Sequence, residues 1–141
     1  MNEIDTTNRR TLTDAERADF VHQLFGLHFP MMVEPTIFGM AQRLSPDYRG
    51  GYWQFYSLTN GGFYMAPDSD ATFNVVCENG FEGQLSADAL GIVACLYAYS
   101  HLSFMRIEGG HVAKVCGGQY HLVRDYAMDH AEARAILRAI D

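Results

Sequence analysis

The apolar positions along the chain change period twice, dividing it into helices, then strands, then helices again. Phe20, Val21, Leu24 and Phe25 fall at i, i+1, i+4 and i+5, on one face of a helix. Ahead of them, Thr13 and Glu16 have capping-box spacing: the threonine oxygen accepts one orphan N–H and the glutamate reaches back for another. This helix is expected to end near Gly26. A connector containing Pro30 leads to Glu34-Pro35, where proline suits a first helical turn. Ile37, Phe38, Ala41 and Leu44 line the second helix, and Ser45-Pro46 stops it, because a residue before proline leaves the α region.

The middle of the chain has strand character. Residues 52–58 are dense in aromatics, as half-buried pleated strands often are. Asn60-Gly61-Gly62 supplies the backbone freedom of a tight hairpin, residues 63–66 return, and Pro67-Asp68 closes the strand. A second pair, 72–77 and 81–85, is joined through Glu78-Asn79-Gly80. Phe81, Gly83 and Leu85 alternate with Glu82 and Gln84, so one face meets the core and the other meets water. Short connections predict an antiparallel meander of about four strands.

Ser86 is placed to cap the next helix, with Asp88 in its first turn complementing the helix dipole. From Ala87 to Tyr99 this helix is apolar almost all round, through Leu90, Ile92, Val93, Leu96 and Tyr97, reads as a buried spine and is expected to run to about Ser103. Gly109-Gly110 and Gly117-Gly118 bracket a short helical or irregular piece, and the last helix is expected from Gln119. Tyr120, Val123, Tyr126 and Ala127 share one of its faces. Asp129 and Glu132 repeat the cap spacing, which predicts a break and restart before Ala133, Ile136, Leu137 and Ile140. The expected fold class is α+β: a four-stranded antiparallel sheet packed against flanking helices, as a flexible leader over residues 1–12 and one compact domain over 13–141.

Composition narrows the function classes. The 141 residues are 48% apolar and 19% charged, which is globular composition with enough chain for its own core. Seventeen acids against ten bases give a net charge of −7, and Lys114 is the one lysine. Such a balance disfavours phosphate binding and favours a basic partner. Residues 1–13 are polar with no apolar signal core, and no run reaches the 18 or so apolar residues of a membrane span. Cys77, Cys95 and Cys116 are odd in number and widely spaced, so they read as buried thiols of a reducing, cytoplasmic protein.

The search for catalytic motifs finds no GxSxG, HExxH, P-loop or GxGxxG. His101, His111 and His121 recur every ten residues, not at the i, i+3 or i, i+4 spacing that aims two rings at one metal. The Tyr52, Trp53, Phe55 and Tyr56 stretch lacks the interleaved bases of a nucleic-acid groove and reads as sheet packing. No catalytic residue, metal site or cofactor is assigned.

A resemblance extends this reading. Gly50-Gly51-Tyr52-Trp53-Gln54-Phe55-Tyr56, followed by Asn60-Gly61-Gly62-Phe63-Tyr64-Met65-Ala66-Pro67-Asp68, resembles the central signature of the ArdB/KlcA antirestriction proteins. Asn79-Gly80-Phe81-Glu82-Gly83-Gln84-Leu85-Ser86-Ala87-Asp88-Ala89, with Gly91-Ile92-Val93-Ala94, continues it in the same order. So do Tyr120-His121, Arg124 and the ending Arg138-Ala139-Ile140-Asp141. Residues 105–118 match least, and 1–13 carry no pattern of the family. The resemblance implies a small α+β protein of plasmids and other mobile elements, without a known cofactor. Such proteins protect unmodified DNA from host type I restriction–modification enzymes.

Within that resemblance, mechanism has to be argued from charge. Duplex DNA carries a charge per 1.7 Å of axis, so a net charge of −7 imitates only about 12 Å of it. That favours a protein–protein contact, with the restriction enzyme or a host factor governing it, over an acidic DNA mimic in the enzyme's groove. A small cytoplasmic hydrolase is the remaining alternative. No nucleic-acid or membrane contact is expected, and the chain is expected to be a monomer or weak homodimer. The candidate partner-binding residues are Asp125 and Asp129, at i, i+4, with Glu132 and Asp141 beyond them, and Asp68 and Asp70 in a second loop.

Overall fold

A computed structural model describes residues 6–105 and 110–141. In chain order its elements are β1 (Arg9–Thr11), α1 (Asp14–Phe25), a π-helical turn (Phe29–Val33) and α2 (Glu34–Leu44). These are followed by β2 (Trp53–Leu58), β3 (Phe63–Pro67), β4 (Thr72–Val76) and β5 (Glu82–Ser86). The chain ends in α3 (Ala87–Ser103), α4 (His111–Ala127) and α5 (Ala133–Ile140). The α+β class stands.

Local chemistry sets the first boundaries as expected. Thr13 and Glu16 form a complete capping box at the start of α1, and Gly26, at φ 64°, ends it. The connector around Pro30 is a π-helical turn whose last bond runs from the Glu34 N–H to the Phe29 carbonyl, leading directly into α2. Ser86 caps α3, its hydroxyl accepting from the Ala89 N–H at 3.1 Å.

The sheet departs from the expected meander. β2 and β3 pair as a hairpin, and β4 and β5 pair as another, but the two hairpins belong to separate sheets of three and two strands. The reason lies at the strand edges. The outward backbone groups of β3 are taken by side chains of the helices. The Phe63 N–H donates to Gln119 Oε1 at 2.7 Å, and Tyr99 Oη donates to the Phe63 carbonyl at 2.7 Å. Cys95 Sγ lies 3.5 Å from the Met65 nitrogen. On β4, the Asn74 N–H donates to the Asp47 carboxylate at 2.8 Å. Neither edge is left for the other strand.

Two further expectations are corrected. Residues 9–12 are not part of a flexible leader: Arg9, Arg10 and Thr11 pair antiparallel with Leu58, Ser57 and Tyr56, and Leu12 is buried. Residues 1–5 lie outside the described residues, as does Gly109. The second correction concerns α4, which runs without interruption through Gly117-Gly118 and starts eight residues before Gln119. A Cβ on Gly117 would lie 3.7 Å from Ser103, so this glycine faces α3 without a clash and the helix continues past it. The break after α4 is present, but Asp129 does not cap the restart; the residue before α5 is Glu132.

At the centre lies α3, with Leu90, Ile92, Val93, Leu96, Tyr99 and Leu102 all at most 1% exposed. Rings from four other elements gather beside it: Phe25 stacks on Tyr99 at 6.2 Å, and Phe29, Phe55 and Phe63 meet edge to face at 5.4 to 5.9 Å. α3 crosses β3 at Gly91, where a Cβ would fall 2.4 Å from both the Ala66 Cβ and the Met65 carbonyl oxygen. Gly91→Ala should therefore destabilise the protein by about 3 kcal/mol, the upper range of overpacking costs, in urea unfolding. Gly118→Ala, on the exposed side of α4 with nothing within 4 Å of its Cβ, should instead stabilise by about 0.5 to 1 kcal/mol. Equal effects of the two substitutions would contradict the close approach at Gly91.

Candidate functional site

The largest polar constellation among the described residues forms where the first turn of α3 meets β1, β3 and the turn between α4 and α5. Ser86 caps the helix, which places Asp88 one residue inside its first turn. Asp88 Oδ1 accepts from Arg9 Nη1 at 2.5 Å and from Tyr64 Oη at 2.8 Å. Its Oδ2 lies 2.7 Å from His130 Nε2. The other ring nitrogen, Nδ1, accepts the Glu132 backbone N–H at 2.9 Å, so the proton sits on Nε2, pointing at Asp88. Glu132 then turns back to Ser86, accepting its N–H at 2.9 Å and its hydroxyl. Tyr56, Tyr64 and Tyr126 stack in series at 4.9 and 5.7 Å, and the Arg9 guanidinium covers Tyr56 at 4.3 Å.

The charges follow from these contacts. Burial alone would raise the Asp88 carboxyl, but hydrogen bonds from His130 and Tyr64 and the charge of Arg9 outweigh it and hold it below its ordinary value. Burial, reinforced by the Asp88 charge, lifts the Tyr64 phenol far above its usual range. Arg9 is opposed by burial, yet its bond to Tyr64 and the nearby Asp88 charge raise its pKa. The result holds protons in place rather than passing them on. His130 has no nitrogen left to act as a base, and Tyr64 keeps its proton.

The thiols are equally quiet. Burial pushes Cys95 and Cys116 up to about 12, so neither is a thiolate near neutral pH. Cys77 is buried too and its thiol is raised. Among the described residues no group of three or more His, Cys, Asp and Glu is placed to hold a metal ion.

The sequence-derived candidates are only partly brought together. Asp129 lines an open cavity with Arg9, Tyr126 and His130, at the rim of the Asp88 constellation. Glu132 is half-buried and holds the cap of α3 through Ser86. Asp125, in the last turn of α4, and Asp141, after α5, are exposed and take no part in that network. Asp68 and Asp70 are exposed just beyond β3, while Asn60, at the other end of that strand, is tied to α4 through the Leu122 carbonyl at 2.9 Å. Arg9, Tyr64 and His130 were not anticipated, because they lie 79, 24 and 42 residues from Asp88.

A second charged site opens between α1 and α2. Arg17 lies over Phe55 at 3.8 Å and over Tyr52 at 4.8 Å. It donates to Tyr52 Oη, which donates to Asp14, and its own Nη1 is 3.5 Å from Asp14. Glu34 lines the same cleft; burial raises its carboxyl above the ordinary value, against the opposing charge of Arg17.

A family profile described as antirestriction protein matches residues 46–141. Two proteins of Escherichia coli named antirestriction protein KlcA are 42% identical over 131 residues and 44% identical over 133. The alignments cover 92% of this chain and 92% and 90% of those proteins. A solved structure superposes with a TM-score of 0.87 at 39% identity, covering 100% of both chains. It is described as showing, for KlcA and ArdB, a novel fold and antirestriction activity against type I DNA restriction systems in vivo but not in vitro.

The Asp88 constellation makes a stability prediction. A carboxyl held below its ordinary value contributes stability above the unfolded range near pH 4, and that contribution is lost as pH falls through the folded value. Asp88→Asn should lower the unfolding free energy by about 2 kcal/mol at pH 7, discounted for the exposure of Arg9. The gap between wild type and variant should narrow as pH falls from about 5 towards 2. A gap that stays constant across that range in urea titrations would contradict the assignment.

Proposed function

The chain belongs to the antirestriction protein family, and on that premise we propose that it protects incoming, unmodified mobile-element DNA from host type I restriction–modification enzymes. It acts in the cytoplasm through a protein–protein contact, with the restriction enzyme itself or a host factor governing it. It needs no cofactor and works as a monomer or weak homodimer.

One observation carries the choice of a protein contact over DNA mimicry: many carboxylates are answered within the fold. Arg10 and the Thr13 N–H bind Glu16 and lower it to about 2. Arg17 answers Asp14, Arg43 answers Glu78, and Arg9 with His130 answers Asp88. Glu132 is engaged by Ser86 and Asp47 by the Asn74 N–H. A phosphate-like stripe requires carboxylates free of neighbouring bases, since it must replace DNA in a cationic groove. The in-vivo-only activity described for KlcA and ArdB supports a component supplied by the cell. A hydrolase reading has little to build on, with the thiols protonated and both His130 nitrogens engaged.

The exposed carboxylates Asp125, Asp129 and Asp141 are the favoured contact, with Asp68 and Asp70 as a second one. Glu132 is placed beside the first group but serves the fold. The test is the plating efficiency of unmodified phage on bacteria with an active type I system, against a restriction-deficient control. Expression of this protein should raise plating on the restricting strain alone. Replacing Asp125, Asp129 and Asp141 by asparagine should reduce that protection about tenfold, the effect of losing one hot spot, with folding intact. Full protection by the folded triple variant would remove this patch as the contact, and no protection by the wild type would overturn the function.

A further inference from the structure

Two clefts meet on the outer side of α1. One holds Arg17, Glu34 and Tyr52, and the other holds Gly26, Leu27 and Pro30. Ala18, Val21 and Phe29 line both, so the two form one groove with an apolar floor, of about 390 and 220 Å³ in its two parts. Ala18 keeps the α1 wall low, and the π-helical turn sets the opposite wall.

The apolar end has a local cause. Gly26, in the left-handed region, turns the chain out of α1, and the helical path that resumes carries Leu27 and Met31 one turn apart. Both stay in water, 70% and 74% exposed, beside the mouth of an apolar cleft. Single exposed apolar residues are ordinary, whereas large ones gathered at a cleft mark an interaction site.

The charged end selects the partner. Arg17 is already committed, flat against Phe55 with its side chain 18% exposed and paired to Asp14. Glu34, half-buried in the same cleft, is the charge that a ligand can answer from outside. A phosphate backbone would face Glu34 and Asp14 and be repelled. A second copy of this chain would bring its own excess of seven negative charges.

We propose that this groove docks a partner-protein segment carrying an aliphatic or aromatic side chain next to an arginine or lysine. The apolar side chain fills the floor between Ala18, Val21, Phe29 and Leu27, and the cation meets Glu34. This rests on the partner-binding reading above and adds a contact separate from the Asp125 face.

Two measurements on the full chain test it. In ¹H–¹⁵N spectra, a capped Leu-Arg-Leu peptide should shift the amides of Ala18, Val21, Leu27 and Glu34, and a capped Leu-Glu-Leu peptide should not. Glu34→Gln should weaken the Leu-Arg-Leu response severalfold, as expected for loss of one charge pair. In restricting cells, Leu27→Ser with Met31→Ser should cut protection about tenfold while folding is kept, since both side chains are exposed. Equal response to the two peptides, or full protection by the double variant, overturns the proposal. A wild-type dimer that the double variant dissociates overturns it in favour of a self-interface. If the wild type gives no protection, the antirestriction reading fails, and the peptide spectra alone decide the groove.

Discussion

A helix buried over almost all of its surface has to be enclosed, and α3 imposes that demand on the molecule. Its side chains are buried from Leu90 through Leu96 and again at Ala98, Tyr99 and Leu102, while Tyr97, Ser100 and His101 reach the surface. β3 closes one side at Gly91, near enough that a methyl group there would collide with β3. The helices α2 and α4 and the β4–β5 hairpin close the others. The same enclosure draws Asp88, in the first turn, partly out of water, with its side chain 25% exposed. A carboxylate in that position is disfavoured by burial and held charged by pairing and hydrogen bonds. Arg9, Tyr64 and His130 are the groups that meet it, and through them α3 fastens β1 and the α4–α5 turn. The fold and its most polar constellation are consequences of one burial.

This bears on how the acidic excess is used. A net charge of −7 suggests a molecule that competes with DNA, yet the structure disperses its carboxylates among arginines, a histidine and backbone N–H groups. The charge that stays outward includes Asp19 and Glu82 as well as Asp125 and Asp129, Asp141, and Asp68 and Asp70. Small separate patches suit a shaped protein contact, where charge steers encounter and apolar contact supplies affinity. The groove beside Glu34 offers the apolar part.

How far the sequence could be read depended on the distance over which each signal acts. The Thr13 capping box, the Asn60-Gly61-Gly62 hairpin and the apolar circumference of α3 are contained within a few residues, and each is present as expected. Arg9–Thr11 reads as polar leader because its strand exists only against β2, some 45 residues later. Gly117-Gly118 reads as a break because the packing that holds α4 helical comes from α3. The division into two sheets depends on Tyr99, Cys95 and Gln119 capping the edge of β3, which no local pattern reveals. The same limit applies to the candidate site. Asp88 was visible as a helix-dipole residue, and Glu132 as a capping residue and a candidate contact. Their partners were not visible, and Glu132 closes on Ser86 rather than on the start of its own helix.

On the proposed reading, the protein works by contacting a protein surface and not by standing in for DNA. Equilibrium binding of a purified type I restriction enzyme to its unmodified target duplex, followed by fluorescence anisotropy at increasing concentrations of this protein, tests that claim most directly. The apparent Kd for DNA is expected to stay unchanged throughout. A Kd that rises in proportion to the added protein, the signature of competition for the DNA groove, would contradict it.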